Sequence, residues 1–255
     1  MLLPYFLRTT IRCGAACLAV VVAAAVPATA QTTVSTPTVT SVADSRPTVR
    51  AAPLAGEIVI DGHLDESVWQ AAEIATDFIQ QNPRAGAPAS QRTEARVLYG
   101  PDALYVGMRM YDTEAHAISA QLTRRDAWSN VSDWAMVMID SRFDRRSAFG
   151  FAVNPLGVQH DNYSFDDGRQ DMSWVAVWEA ATSVGSLGWT AEFRIPYSQL
   201  RFHGEEGEMA WGVQFLRDLA REGERSHWAP MDPNLPGTAS RFGTFTGLEG
   251  IAPPR

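Results

Sequence analysis

Hydrophobic and polar positions alternate along most of the chain from residue 58 onward. The clearest run is 103–111, where Leu104, Val106, Met108 and Met110 alternate with Tyr105, Gly107, Arg109 and Tyr111. A period of two predicts a strand with one buried face. The run 94–99 precedes it across Gly100-Pro101-Asp102, and the pair predicts a hairpin. Further short runs fall at 134–140, 148–154, 158–163, 175–182, 189–195, 211–217 and 242–246. Asn154-Pro155-Leu156-Gly157 joins two of them, with Pro set for position i+1 of a turn and Gly for i+3. Nearer the N-terminus, 58–60 predicts a short β start and Asp61-Gly62-His63-Leu64-Asp65 a turn. Residues 66–73 then predict a short helix, because Leu64, Val68 and Ala72 share a face with Trp69 beside them. Long helical periodicity is missing. Many short strands separated by turns predict an all-β fold, an antiparallel β-sandwich with one short N-terminal helix, over residues 56–250.

The flanks read differently. Residues 1–30 have the pattern of a secretory signal peptide: Arg8 and Arg12, an apolar stretch from Ala15 to Val26, and Ala28-Thr29-Ala30 as a cleavage site. The apolar stretch is short against the roughly 20 residues a membrane helix needs; a retained anchor is the alternative. Export predicts a periplasmic or outer-membrane location. Residues 31–55 are rich in Thr, Val, Ser, Pro and Ala and predict a disordered linker, with order beginning near Glu57. Residues 251–255 predict an unstructured tail.

Composition narrows the chemistry. The 255 residues are 45% hydrophobic and 20% charged, which suits one large all-β domain or two small ones. All 21 basic residues are arginine and the net charge is −8. Such a chain repels phosphates, so nucleic acid is not an expected partner. Both cysteines, Cys13 and Cys17, fall inside the signal. The exported chain therefore has no disulfide framework, thiol nucleophile or Cys-ligated zinc.

No HExxH and no Gly-x-Ser-x-Gly pattern is present, and the five histidines are scattered. His160 and Asp161 near a strand start read as a metal pair or as a solvated strand end. Asp161, Asp166, Asp167 and Asp171 lie within eleven residues, with Gly168 for a tight turn. The two readings are a calcium site, which needs six to eight oxygens, and a polar hairpin loop. Eight tryptophans are the strongest compositional feature. An indole offers a flat apolar surface to the CH face of a sugar, and polar side chains beside it bond the hydroxyls. Trp69, Trp189 and Trp211 lie in helix or strand patterns and predict core. Trp174 and Trp178, four apart, line a cleft or fill a packing face. Trp128 and Trp228 fall in loops and are the candidate stacking platforms. Arg125, Asp126, Asn130 and Asp133 are the candidates to bond hydroxyls or support the loop.

Several runs resemble family 9 carbohydrate-binding modules. These are Ile60-Asp61-Gly62-His63-Leu64-Asp65-Glu66-x-x-Trp69-x-x-Ala72, then Ala103-Leu104-Tyr105-Val106-Gly107 with Asp112 beyond it. Ser132-Asp133 through Ile139-Asp140, Gly188-Trp189-Thr190-Ala191-Glu192-Phe193-Arg194-Ile195-Pro196 and Arg241-Phe242-Gly243 follow in order, so the resemblance spans about residues 57–249. A second set is similar to bacterial outer-membrane proteins of the DUF5916 type, in which such a domain precedes a large β-barrel. It comprises Phe149-x-Phe151-x-Val153-Asn154-Pro155-x-Gly157-Val158-Gln159-x-Asp161, Trp174-x-x-Val177-Trp178 and Ile195-Pro196-Tyr197-Ser198-x-Leu200-Arg201-Phe202. The resemblance implies a jelly-roll type sandwich and a carbohydrate ligand clamped between two tryptophans, a glutamate and an arginine. In this chain those four positions look like Asn130, with Trp128 two residues away, then Trp228, Met136 and Ala152. The leading expectation is a non-catalytic carbohydrate-binding domain. The alternatives are an interaction domain serving an outer-membrane β-barrel protein, its sugar site lost, and a glycoside hydrolase role.

Overall fold

The computed structural model describes residues 46–204 and 207–253. The signal segment 1–30, linker residues 31–45 and tail residues 254–255 lie outside the described residues.

Among the described residues, fourteen strands form two sheets. The larger contains β1 (Thr48–Arg50), β3 (Ile79–Asn82), β6 (Trp134–Asp140), β7 (Ala148–Val153), β8 (Gln159–Phe165), β9 (Arg169–Asp171), β12 (Met209–Leu219), β13 (Glu224–His227) and β14 (Gly243–Leu248). Its order is β1-β14-β12-β6-β7-β8-β9, and β13 pairs with the distal half of β12 and with β3. The smaller sheet runs β10-β11-β5-β4-β2, from β2 (Ala52–Pro53), β4 (Thr93–Tyr99), β5 (Ala103–Tyr111), β10 (Glu179–Gly185) and β11 (Gly188–Pro196). All pairings are antiparallel except β1 with β14 and β2 with β4. Residues 48–53, expected inside the linker, therefore form strands at the edge of each sheet. Ile251, expected in a loose tail, is buried in the core.

The alternation read from the sequence is the alternation found. Leu104, Val106, Met108 and Met110 of β5 face Val137, Ile139, Phe149, Phe151, Val213 and Phe215 of the other sheet in one core. The opposite face of the smaller sheet is buried as well. Trp69 packs there with Leu98, Ala103 and Tyr105 beneath Ile58, Ile60 and Leu64. Gly107 makes the space, since a Cβ at that position would lie 2.6 Å from Leu64 and 3.1 Å from the Trp69 ring.

Three expectations are corrected. The helix at 66–73 is a five-residue 3-10 helix, Ser67–Ala71, and no α-helix occurs among the described residues. Once Trp69 is seated over Gly107, the chain leaves at once to bridge Ala75 to Ala95. Residues 58–60 are not a strand; they lie over the sheet by their side chains. Residues 175–178 are irregular, because the Ala176 N–H donates to Asp161 (2.9 Å) and the Val177 N–H to Gln199 (3.1 Å) instead of to a neighbouring strand. The turn at 154–157 is as expected, closed by the Gly157 N–H on the Asn154 carbonyl (2.9 Å).

The Asp61-Gly62 turn is fixed by Glu192 on β11. One oxygen of Glu192 accepts the N–H groups of Asp61 (3.0 Å) and Gly62 (2.8 Å); the other is buried without a partner. Burial pushes this carboxyl up from 4.5 to about 7. A raised acid pKa means the folded state holds the proton more tightly than the unfolded chain. Its contribution is fully present below about pH 4.5 and is lost as pH rises through 7. Glu192→Gln keeps the accepting oxygen and removes the titration. Urea denaturation at pH 5 and pH 8 is expected to show the native chain losing about 2–3 kcal/mol relative to the variant between the two. Parallel behaviour of both proteins would remove this account of Glu192.

Candidate functional site

Strands β6, β7, β8 and β12 bury every second residue between the sheets. The intervening residues emerge on the outer face of the larger sheet. There Trp134, Met136, Met138, Ala148, Ala152, Leu216 and Phe242 form a second, smaller apolar cluster, with Trp128 packed against it. A cleft of about 380 Å³ opens above this cluster. Met136, Met138, Leu216 and Met231 give it an apolar lining.

One wall is aromatic. Trp128 stacks on Trp134 with ring centroids 4.5 Å apart and 11° between planes, and meets His160 edge-on at 5.2 Å. The Arg225 guanidinium lies 5.6 Å from the Trp128 ring centre. It is held there by two 2.7 Å bonds to Asp218. The loop carrying Trp128 is anchored from below. Asp161, fully buried on β8, accepts from the Arg125 guanidinium, from the Ala176 N–H (2.9 Å) and from the Trp178 indole N–H (3.0 Å). Asp126, at φ 64°, accepts the Asp161 N–H at 3.1 Å.

Beside Arg225 and Thr238, the polar groups of the lining are amides and imidazoles. Gln81, Asn130, Asn162 and Gln170 all line the cleft, with His160 and His227. His160 Nδ1 lies 3.3 Å from the Asp126 carbonyl and donates to it. His227 is pushed down to about 3 by burial, so it is neutral; its Nε2 faces Gln81 Oε1 at 3.4 Å. Its Nδ1 is left a bare acceptor without a partner. Asn162 donates to Ser164 Oγ at 3.4 Å, and its Oδ1 is also buried and unpartnered.

The residues singled out from the sequence divide. Trp128 and Asn130 line the cleft. Arg125 and Asp126 do not; they lock the Trp128 loop onto β8, as supporting residues. Asp133 is fully buried, accepts the Ala220 N–H at 2.8 Å, and has its carboxyl raised to about 6 by burial. It belongs to the interior beside Arg217 and Arg221 rather than to a binding surface. Trp228 is the clear correction. It is only 5% exposed and packs on Phe215 at 5.6 Å inside the core. Its N–H bonds the Phe215 carbonyl at 3.0 Å, which continues the β13 register by one residue. His227 faces the cleft, so Trp228 must face inward. Trp178 fills the core against Phe151 and Phe193, and the half-buried Trp174 packs against its edge at Phe149 and Phe151.

The four aspartates of the acidic loop are not brought to one point. Asp161 holds Arg125. Asp166 pairs with Arg146 (3.3 Å) and Arg169 (3.6 Å), Asp167 accepts the N–H groups of Thr238 (2.9 Å) and Ser240 (2.8 Å), and Asp171 accepts from Ser173. No group of three or more His, Cys, Asp or Glu side chains suited to a metal occurs among the described residues. Calcium therefore has no cage of assembled carboxylates in this loop.

Gln81, Asn162, Gln170, Arg225 and His227 were not anticipated. The first and the last two sit on β3 and β13, strands that carry too few apolar residues to announce themselves. Parity along β8, with His160 and Asn162 opposite in phase to Asp161, was the available signal.

The model of the family described as carbohydrate family 9 binding domain-like matches residues 60–246. A family 9 carbohydrate-binding module from Caldicellulosiruptor kristjanssonii, solved with cellotriose, superposes with a TM-score of 0.58 at 16% identity, covering 80% of this chain and 95% of that one. A structure of such a module from the same organism with glucose gives 0.57 at 17%, covering 80% and 97%. A protein from Bacteroides uniformis, named as a candidate carbohydrate-binding protein, gives 0.65 at 12%, covering 80% and 100%. A search of the curated proteins finds no significant match.

Because Trp228 is a core residue, Trp228→Ala is expected to cost about 3–5 kcal/mol of stability in urea denaturation, the range for large aromatic truncations. A cost under about 1 kcal/mol would return Trp228 to the surface.

Proposed function

The chain belongs to the carbohydrate family 9 binding domain-like family, and we propose that it is a non-catalytic carbohydrate-binding domain whose site is the cleft on the outer face of the larger sheet. The observation that carries this reading is the pairing of one indole wall with four side-chain amides. Trp128, backed by Trp134, offers an apolar plane to a sugar's CH face. Gln81, Asn130, Asn162 and Gln170 offer donors and acceptors to hydroxyl groups. The structures of similar fold solved with cellotriose and glucose support a sugar as the ligand class. Glycoside hydrolysis is not proposed, because it uses paired carboxyl groups and no Asp or Glu of the described residues lines the cleft.

Export by the 1–30 segment, and service beside an outer-membrane β-barrel, are part of the proposal; the Ala28-Thr29-Ala30 site and the second set of motifs support them. One observation favours an interaction domain instead. Met136 and Ala152 occupy the positions where the family resemblance places a glutamate and an arginine, and both lie in the apolar cluster under the cleft.

Calorimetric titration with a panel of mono- and oligosaccharides separates the two. Saturable binding with Kd of roughly micromolar to millimolar, about −8 to −4 kcal/mol, is expected for at least one sugar. Trp128→Ala should weaken it at least about tenfold, a loss of about 1.4 kcal/mol, while the circular dichroism spectrum is kept. Flat traces across the panel would favour the interaction domain.

A further inference from the structure

The edges of the two sheets are not alike. The larger sheet ends in β1, β9 and β3, of three, three and four residues, and one end of the smaller sheet is β2, of two. Edges this short offer little template to another chain. The other end of the smaller sheet is β10, Glu179–Gly185, seven residues long and paired with β11 alone. Its register with β11 runs without a bulge, and its sequence, Glu-Ala-Ala-Thr-Ser-Val-Gly, holds no proline and no lysine. The devices that blunt an exposed edge are missing from it.

The neighbouring ladders fix which way β10 presents its backbone. The Asp112 N–H donates to the Leu187 carbonyl (2.9 Å), so the odd-numbered residues of β11 bond β5. The even-numbered ones bond β10, through residues 179, 181, 183 and 185. The N–H and C=O groups of Ala180, Thr182 and Val184 therefore point away from β11, and no other segment of the described residues bonds them. Gly62 packs on the Thr182 backbone over one face of the sheet, and Thr182 Oγ1 donates to the Pro155 carbonyl (3.1 Å) on the other. Both faces of β10 are held and its edge is open.

Exposed apolar side chains flank that edge. Val184 stands within it at 52% exposure, Val177 just before it at 77% and Leu187 just beyond it at 68%. Two copies of β10 laid antiparallel must join outward-facing residues to outward-facing residues. The register that uses all of them sets Thr182 opposite Thr182 of the second copy and Ala180 opposite its Val184. Each such pair exchanges two bonds, about six in all. The same register brings Val177 level with Leu187 of the second copy, at both ends of the joint. Glu179, the one charged residue of β10, falls opposite a glycine, and Arg194 already answers its charge at 2.8 Å.

We propose that this chain pairs with a second copy of itself through β10, edge to edge about a two-fold axis at Thr182. Such an isologous contact needs a patch complementary to itself, which this register supplies. The proposal rests on the fold and not on the ligand, since no residue of β10 lines the cleft.

The test is sedimentation velocity of the full chain between about 1 and 100 µM, a range that reads micromolar dissociation constants. The mass is expected to rise with concentration toward that of two chains. Val184→Pro removes an N–H that has no partner within the chain, so it should raise the dimer Kd at least about tenfold and keep the circular dichroism spectrum. Val177→Glu should also weaken the dimer, and adding Leu187→Arg to the same chain should restore Kd to within about threefold of native. Both side chains are exposed, so neither change threatens the fold. A chain still monomeric at about 100 µM overturns the proposal and leaves the edge to a strand of another protein. A dimer that withstands Val184→Pro overturns the assignment to β10. A dimer weakened by Val177→Glu and not restored by Leu187→Arg overturns the axis at Thr182.

Discussion

The pleat of the larger sheet governs this molecule. Val137 and Ile139 of β6, Phe149, Phe151 and Val153 of β7, and Val213 and Phe215 of β12 are committed to the space between the sheets. Their neighbours have no choice of side. Met136, Met138, Ala152 and Leu216 emerge together on the outer face because the core residues beside them are buried, and the cleft stands on them. The same constraint turns His227 toward the cleft and Trp228 away from it. A one-residue slip in β12 or β13 would destroy core and site at once.

The cleft also needs a wall, and the wall is tied to the core by a buried charge. Asp161 projects inward from β8, where an isolated carboxylate is expensive. It is offset by the Arg125 guanidinium, one backbone N–H and the Trp178 indole. Breaking such a group leaves an uncompensated charge, so it tolerates little change. The consequence reaches the surface within three residues of Arg125, because Trp128 belongs to the same loop. The aromatic wall is therefore positioned by an electrostatic group that does not line the cleft.

Buried acids recur as loop anchors. Glu192 holds the Asp61-Gly62 turn; Asp140, raised to about 6 by burial, accepts the N–H groups of Asp144 (3.2 Å) and Arg145 (2.8 Å). Asp133 does the same for Ala220. Each carboxyl stands where a chain segment leaves or crosses a sheet, and each satisfies backbone groups that no strand neighbour can reach. Residues 46–253 contain no cysteine, and their corners are fixed in this way.

The sequence by itself determined the two-sheet architecture, because period-two alternation is a property of each strand alone and survives whatever the strand pairs with. Strands β5 and β6 were legible to the residue, and the turn at Asn154–Gly157 followed from its proline and glycine. It also marked Trp128 and Asn130. Tertiary structure decided the rest. Short polar strands such as β3, β9 and β13 exist only because neighbours accept their hydrogen bonds, so their side chains Gln81, Gln170 and His227 could not be placed beforehand. Asp133 and Trp228 sit among loop-like residues in the sequence, yet pairing and burial turn them inward, while Arg125 stays exposed and only its guanidinium reaches the buried Asp161. The acidic loop shows the same limit: composition counted four aspartates, and only the fold could assign each its separate partner. Which residues share a face is local chemistry; which faces meet, and what lies between them, is settled by the packing of segments far apart in the chain.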